Sequence, residues 1–204
     1  RLIYRKEPKS EKNIILGQRS NGINDLLNTG DIVNTMLKDC FTDVDIYNDE
    51  VRLLQYPFTS PISSRTAISF YRYFIVDTLM VDGKQRCIQV DFTPNNPQDF
   101  GFSGSLYIMA DGTYRVYKAD MGIPVRSDVN FVQSMRIIQT FDQLPTGEQV
   151  LVKDNMLVQL HITKSAGKFQ VKRDTEYSNF AFEPIPDKTF KFKGETLTSA
   201  NAQM

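Results

Sequence analysis

Apolar residues along the chain keep two different periods. Ile23, Leu26, Leu27, Gly30, Val33, Met36, Leu37 and Cys40 recur at spacings of three and four, which places them on one stripe of a helix. Asn24 or Asp25 can cap its start. Gly30 weakens its middle by roughly 1 kcal/mol relative to Ala, or lets another backbone approach. After this helix the period becomes two. "RCIQVDFT" sets Ile88, Val90 and Phe92 against Cys87, Gln89, Asp91 and Thr93. "FGFSGSLYIMA" sets Phe100, Phe102, Leu106 and Ile108 against Gly101, Ser103, Ser105 and Tyr107. "VLVKDNMLVQLHI" places Val150, Val152, Met156, Val158, Leu160 and Ile162 on one side. Such alternation predicts strands with one face on a core and the other in water.

Turn residues fall between these runs. Asp82-Gly83 and Asp111-Gly112 supply the positive φ angles of tight hairpins, and Thr146-Gly147 and Ala166-Gly167 mark two more reversals. "TPNNPQD" (93–99) is a longer loop, since its prolines cannot join a ladder. Residues 69–94 therefore form a hairpin folded at Asp82-Gly83, with Asp77, Lys84 and Arg86 on solvated faces or at strand ends. The "FYRYF" cluster (70–74) has two readings: a central strand packed on both sides, or the aromatic wall of an apolar cleft.

The pattern predicts a mainly β, α+β fold. It is an antiparallel sheet of roughly seven or eight strands in meander order, with one N-terminal helix. By analogy of architecture it is a curled half-barrel like that of the lipoprotein carriers. Residues 1–20 are read as a basic arm or linker, 21–180 as the single folded domain, and 181–204 as an irregular tail or linker. One helix covers only part of one sheet face, so the sheet curls around it or leaves an apolar face for something else. A ligand held on the concave face would be lined by Phe74, Phe92, Phe102, Leu106 and Ile108.

Composition narrows the function classes. Lys+Arg and Asp+Glu both number 24, for zero formal net charge, which argues against nucleic acid as a partner. Fourteen Phe and nine Tyr with no Trp favour pleated, half-buried surfaces. The two cysteines, Cys40 and Cys87, are too few for a disulfide scaffold and read as small buried hydrophobes, their pairing left open. No apolar run reaches the roughly 18–20 residues of a membrane helix, and the charged N-terminus lacks the apolar stretch of a signal peptide. Beginning at Arg1 rather than Met, the chain is expected to be part of something longer.

Catalytic signatures are missing. The one histidine, His161, has no Cys/His companions that would make a zinc site, and "VQLHITK" puts it on the polar side of a strand. "GFSGS" lacks the G-x-S-x-G spacing and the strand-to-helix turn of a nucleophile elbow. "DVDIYNDE" (43–50) begins like an EF-hand loop, but Tyr47, Asn48 and Leu54 stand where an oxygen ligand, the turn glycine and the bidentate Glu belong. A solvated turn is expected there. No catalytic residue, metal site or cofactor is assigned, and an enzyme is the least favoured class.

"IYND" (46–49), "SPIS" (60–63), "YRYFIVDTLMVDG" (71–83), "FTP" (92–94), "FSGSLYI" (102–108) and "VNFVQSMRIIQTF" (129–141) carry a resemblance. Over approximately residues 20–165 the chain resembles a family of uncharacterised cell-envelope proteins of Bacteroidota. In that family a carboxypeptidase-regulatory-like domain precedes such a segment and an outer-membrane β-barrel follows it. The resemblance implies a soluble middle segment at the periplasmic face of the outer membrane. It carries no catalytic motif. The expected role is a non-enzymatic module that binds a lipid-like ligand or a protein partner. The alternative is an assembly module for the adjoining barrel, acting through an open sheet edge.

Overall fold

The structure, a computed structural model, describes residues 1–6, 10–17, 42–53, 56–123, 132–163, 167–190 and 196–198. The helical stripe from Ile23 to Cys40 lies outside the described residues. In chain order the elements are β1 (Leu2–Lys6), β2 (Ser10–Ile15), β3 (Glu50–Leu53), β4 (Tyr56–Thr59) and a one-turn helix α1 (Ala67–Phe70). They continue with β5 (Tyr71–Val81), β6 (Gln85–Pro94), β7 (Ser103–Met109), β8 (Val116–Ile123) and β9 (Val132–Gln143). The last are β10 (Gln149–Thr163), β11 (Gly167–Glu176), a 3-10 turn (Asp187–Phe190) and β12 (Thr196–Thr198). The chain forms two compact units, Arg1–Asn34 with Asn179–Met204, and Thr35–Ser178.

In the smaller unit β1 and β2 form an antiparallel hairpin, and β12 joins β2 in parallel. The stretches read as an arm and a tail thus share one small sheet. Arg1 donates from Nη2 to Asn13 Oδ1 at 2.8 Å, and Arg5 Nε pairs with Glu11 at 2.8 Å. Half-exposed pairs of this kind contribute less than about 1 kcal/mol each.

The larger unit is built on a seven-stranded antiparallel sheet in meander order, β5 through β11, as the period-two pattern predicts. The sheet is open, with β5 at one end and β11 at the other. Cross-strand pairs such as Val90↔Leu106, Leu106↔Ala119, Met121↔Ile137 and Met156↔Ile137 put apolar side chains on one face. The segment from residue 44 to 67 covers that face with Val44, Ile46, Val51, Leu53, Phe58 and Ala67, closing one core. Each large side chain fully buried there, such as Phe58 or Phe102, contributes roughly 1.5–3 kcal/mol.

Turn chemistry follows the sequence in part. Asp82 and Gly83 both have positive φ (52° and 66°), as a two-residue type I′ hairpin requires, and Lys84 N–H bonds to Val81 O at 3.0 Å. At Asp111-Gly112 only the glycine does (88°), and the second left-handed residue is Tyr114 (54°), three positions beyond Asp111. The Asp111 carboxylate accepts the Thr113 N–H at 2.9 Å, so this reversal is a longer loop built on a side-chain turn. Gly147 (φ 104°) closes the β9–β10 hairpin by donating to Leu144 O at 2.9 Å. The reversal at Ala166-Gly167 falls on residues 164–166, outside the described set.

Two strands depart from plain alternation. In β10 the register shifts between Leu151 and Lys153, so half-buried Leu151 packs against the main core cluster while Val150 is buried outside it. In β5 the shift lies between Ile75 and Asp77, and Val76 is an extra residue with no partner in β6. "FYRYF" is also not a central strand packed on both sides. Phe70 ends α1, and β5 is an edge strand with Tyr71 and Tyr73 packed on the core side and Phe74 exposed opposite, although further along that second face Val81 is buried.

Candidate functional site

The five residues proposed from sequence to line an apolar site divide between the faces. Phe92, Phe102 and Leu106 are buried members of the core, and Ile108 is half-buried against it. Phe74 pairs with Asp91 on the other face and is 53% exposed. The structure brings four together as packing and leaves the fifth on the surface.

Phe74 belongs to a different feature. Along β5, Ile75 is 79% exposed, Met80 58% and Val76 53%. Ile75 and Met80 lie on the core face, beside half-buried Val90 and Ile88 of β6, where the cover has ended. Among the described residues no strand pairs with the outer side of β5. An edge of this length with its backbone groups unpaired is a template for another strand. Its only charges are Arg72 and Asp77.

The inner side of β5 is held firmly. Tyr71 is buried, donates its hydroxyl to Thr59 O and accepts the Phe102 N–H at 3.1 Å. Tyr73 donates to Pro61 O at 2.7 Å. Burial raises both phenols, Tyr73 to about 12 and Tyr71 beyond it, with the Phe102 N–H partly opposing the rise at Tyr71. Arg72 reaches Asn95 Oδ1 at 3.1 Å and Asn95 O at 3.0 Å, and Asn95 Nδ2 bonds to Ser69 O at 2.7 Å. At Gly101 an added Cβ would meet Phe70 Cε1 at 2.6 Å, so the strand start and the β6–β7 loop are packed backbone to ring. These contacts anchor the start of the edge strand, Tyr71 to Tyr73, to the rest of the unit.

Near the opposite end of the sheet lies a buried charge that alternation did not single out. Asp154 sits in phase with Met156, Val158 and Leu160 and is 2% exposed. Its Oδ2 accepts from Arg173 Nη2 at 2.5 Å, and its Oδ1 accepts from Gln139 Nε2 at 3.1 Å. Gln139 also donates to Val44 O at 2.7 Å, tying the covering segment to the sheet. The sequence signal was an Asp at a core-phase position of a long strand, with an Arg in the next strand to neutralise it.

Other chemistry-bearing residues are engaged in local structure. Asp45 accepts Tyr47 N–H at 2.9 Å and Asn48 Nδ2 at 3.1 Å, and Asp49 accepts Ser63 Oγ at 2.7 Å, so "DVDIYNDE" is a turn. In "GFSGS", a Cβ on Gly104 would lie 1.9 Å from Asp120 O, so this glycine serves the close approach of β7 and β8. His161 is half-buried with Nδ1 3.3 Å from Gln133. Cys87 is a free buried thiol whose pKa burial pushes up, and Cys40 lies outside the described residues. A cleft of about 290 Å³ at the hairpin ends is lined by Asp111, Arg115, Tyr117, Asp142 and Gln149, among others. Asp111 there is held below its usual range chiefly by hydrogen bonds from Thr113. Among the described residues no three His, Cys, Asp or Glu side chains could hold a metal ion, and no helix is long and apolar enough to cross a membrane.

No curated protein and no solved structure matches the chain. A family model does match it, over residues 3–180, taking in the whole seven-stranded sheet. On that match the chain belongs to the family of unknown function DUF5686.

Proposed function

We propose that this chain is a non-enzymatic interaction module that binds an extended polypeptide by strand addition at β5. The observation that carries this reading is an edge strand of 11 residues on which Phe74, Ile75, Val76 and Met80 are all more than half exposed. An incoming strand gains the backbone bonds of the ladder, and its alternate side chains extend the core face beside Ile75. The resemblance to Bacteroidota envelope proteins supports a working place at the periplasmic face of the outer membrane. There, a strand of an adjoining β-barrel has the required chemistry. One feature favours a lipid-like ligand as a second reading: the strip of Ile75, Met80, Ile88, Val90 and Ile108 is apolar and only partly covered.

The test is fluorescence anisotropy with a labelled decapeptide of alternating Thr and Val. Binding that is lost in Ile75→Lys and kept in Lys172→Ala supports strand addition at β5. With the chain dilute enough to be monomeric, absent binding, or binding indifferent to Ile75→Lys, contradicts it. Competition by fatty acid micelles without any peptide binding would favour the ligand reading.

A further inference from the structure

The side chains of β5 are arranged symmetrically about Phe74, and the bulge creates the symmetry. Arg72, Phe74 and Asp77 pair with Thr93, Asp91 and Gln89 of β6, which are successive residues on one face of that strand. Arg72 and Asp77 therefore stand at equal distances on either side of Phe74 and on the same face, although Asp77 lies three positions from Phe74 in the sequence and Arg72 only two. Val76 absorbs the difference. Without the bulge, Asp77 would face the other way.

Two identical strands that pair antiparallel about a two-fold axis place one residue opposite itself, and every other contact occurs twice. With Phe74 on the axis, Arg72 stands opposite the partner subunit's Asp77, and Asp77 opposite the partner subunit's Arg72. The two phenylalanine rings meet between these pairs. On the other face Tyr73 comes beside the partner subunit's Ile75, covering the most exposed large apolar side chain of the strand. Neighbouring registers match less well. With Ile75 on the axis, Phe74 faces the partner's Asp77 and Arg72 faces the partner's Leu79. With Tyr73 on the axis, Arg72 faces the partner's Phe74. Arg72 has donors left after its two bonds to Asn95, because a guanidinium carries five N–H groups. Asp77 uses Oδ1 for the Thr78 N–H at 2.6 Å and has Oδ2 to offer.

We propose that the strand added at β5 is β5 of a second copy of this chain. The pairing is antiparallel, with Phe74 on the two-fold axis and two reciprocal Arg72–Asp77 pairs beside it. This rests on the reading of β5 as a strand-adding edge and names its partner. The joined sheet has the β5 strands at its centre and a β11 strand at each outer end.

Sedimentation velocity from about 1 to about 200 μM tests it, with Arg72→Asp, Asp77→Arg and the double exchange. A concentration-dependent dimer is expected. Each single variant weakens it about tenfold or more by setting like charges opposite each other, and the double exchange restores it to within about threefold. Oxidised Phe74→Cys should give a covalent dimer, while Thr78→Cys, which has no copy of itself opposite, should not. A dimer indifferent to both charge variants places the interface elsewhere and overturns the proposal. A chain that stays monomeric while the Thr/Val peptide still binds at β5 overturns the second copy but leaves strand addition standing. Neither dimer nor peptide binding overturns both.

Discussion

The two ends of the sheet solve the edge problem in opposite ways. At β11, "GKFQVKRDTE" carries Lys168, Lys172, Arg173, Asp174 and Glu176. Lys172 pairs with Asp174 at 2.7 Å, and Lys153 pairs with Glu176 at 3.1 Å. Charges along an edge discourage another strand from docking, because docking would strip them of water. At β5, "YRYFIVDTLMV" has two charges in 11 residues and apolar side chains pointing out on both faces. One end of the same sheet carries a charged edge, and the other an apolar one interrupted only by the bulge at Val76. Such an exposed apolar edge is a liability that folds normally avoid, so its presence opposite a charged edge is the strongest functional signal in the molecule.

The largest effect expected from breaking this contrast lies beneath the charged end. Asp154→Ala removes the buried carboxylate that Arg173 and Gln139 share, leaves Asp43 at 3.4 Å from Arg173, and should cost about 3 kcal/mol in urea unfolding. Next comes the anchorage of the receptive end. Tyr71→Phe removes the hydroxyl that joins Thr59 O to Phe102 N–H and should cost about 1–3 kcal/mol. Alkali probes the same anchorage. In the folded state Tyr73 titrates at about 12 and Tyr71 higher still, against 10.0 for an ordinary tyrosine. The folded protein therefore keeps protons that the unfolded chain loses, and stability is full below pH 10 and falls as pH rises from there towards 12. Denaturation followed over that window should show a shallower fall in Tyr73→Phe. The smallest effect on stability is expected at the edge itself. Ile75→Lys should shift the unfolding free energy by less than about 0.5 kcal/mol while abolishing peptide binding. The converse change, Lys172→Val with Asp174→Val, should leave folding almost untouched yet make β11 adhesive, read as new light scattering.

Much of this architecture was legible in the chain. The alternation around Ile88, Leu106 and Val158 was enough to predict a meander, because side-chain period is a local property of a strand. The Asp82-Gly83 hairpin was legible for the same reason. Strand order at the edges was not. "FYRYF" is aromatic enough for a central strand, and only the long-range fact that no described strand pairs beyond β5 makes it an edge. Bulges were equally hidden: the extra residue at Val76 depends on what β6 presents opposite, and no residue type announces it. The site residues suffered from this directly. Alternation puts Phe92, Phe102, Leu106 and Ile108 on one face without saying whether that face is a lining or a core, and nothing local marks Ile75, Val76 and Met80 as exposed. At the ends of the chain, the polar "SEKNII" gives no local sign that β2 pairs with β12, far along the sequence.

Residue-resolved hydrogen–deuterium exchange of the two edge strands, with the chain dilute enough to be monomeric and with or without saturating Thr/Val peptide, bears most directly on the contrast between them. Strand addition at β5 requires that the outward amides of Tyr71–Val81 slow markedly when the peptide is present, while those of Gly167–Glu176 keep their rates. Equal slowing at both edges, or slowing at β11 alone, would mean that the exposed apolar strand is not the receptive one.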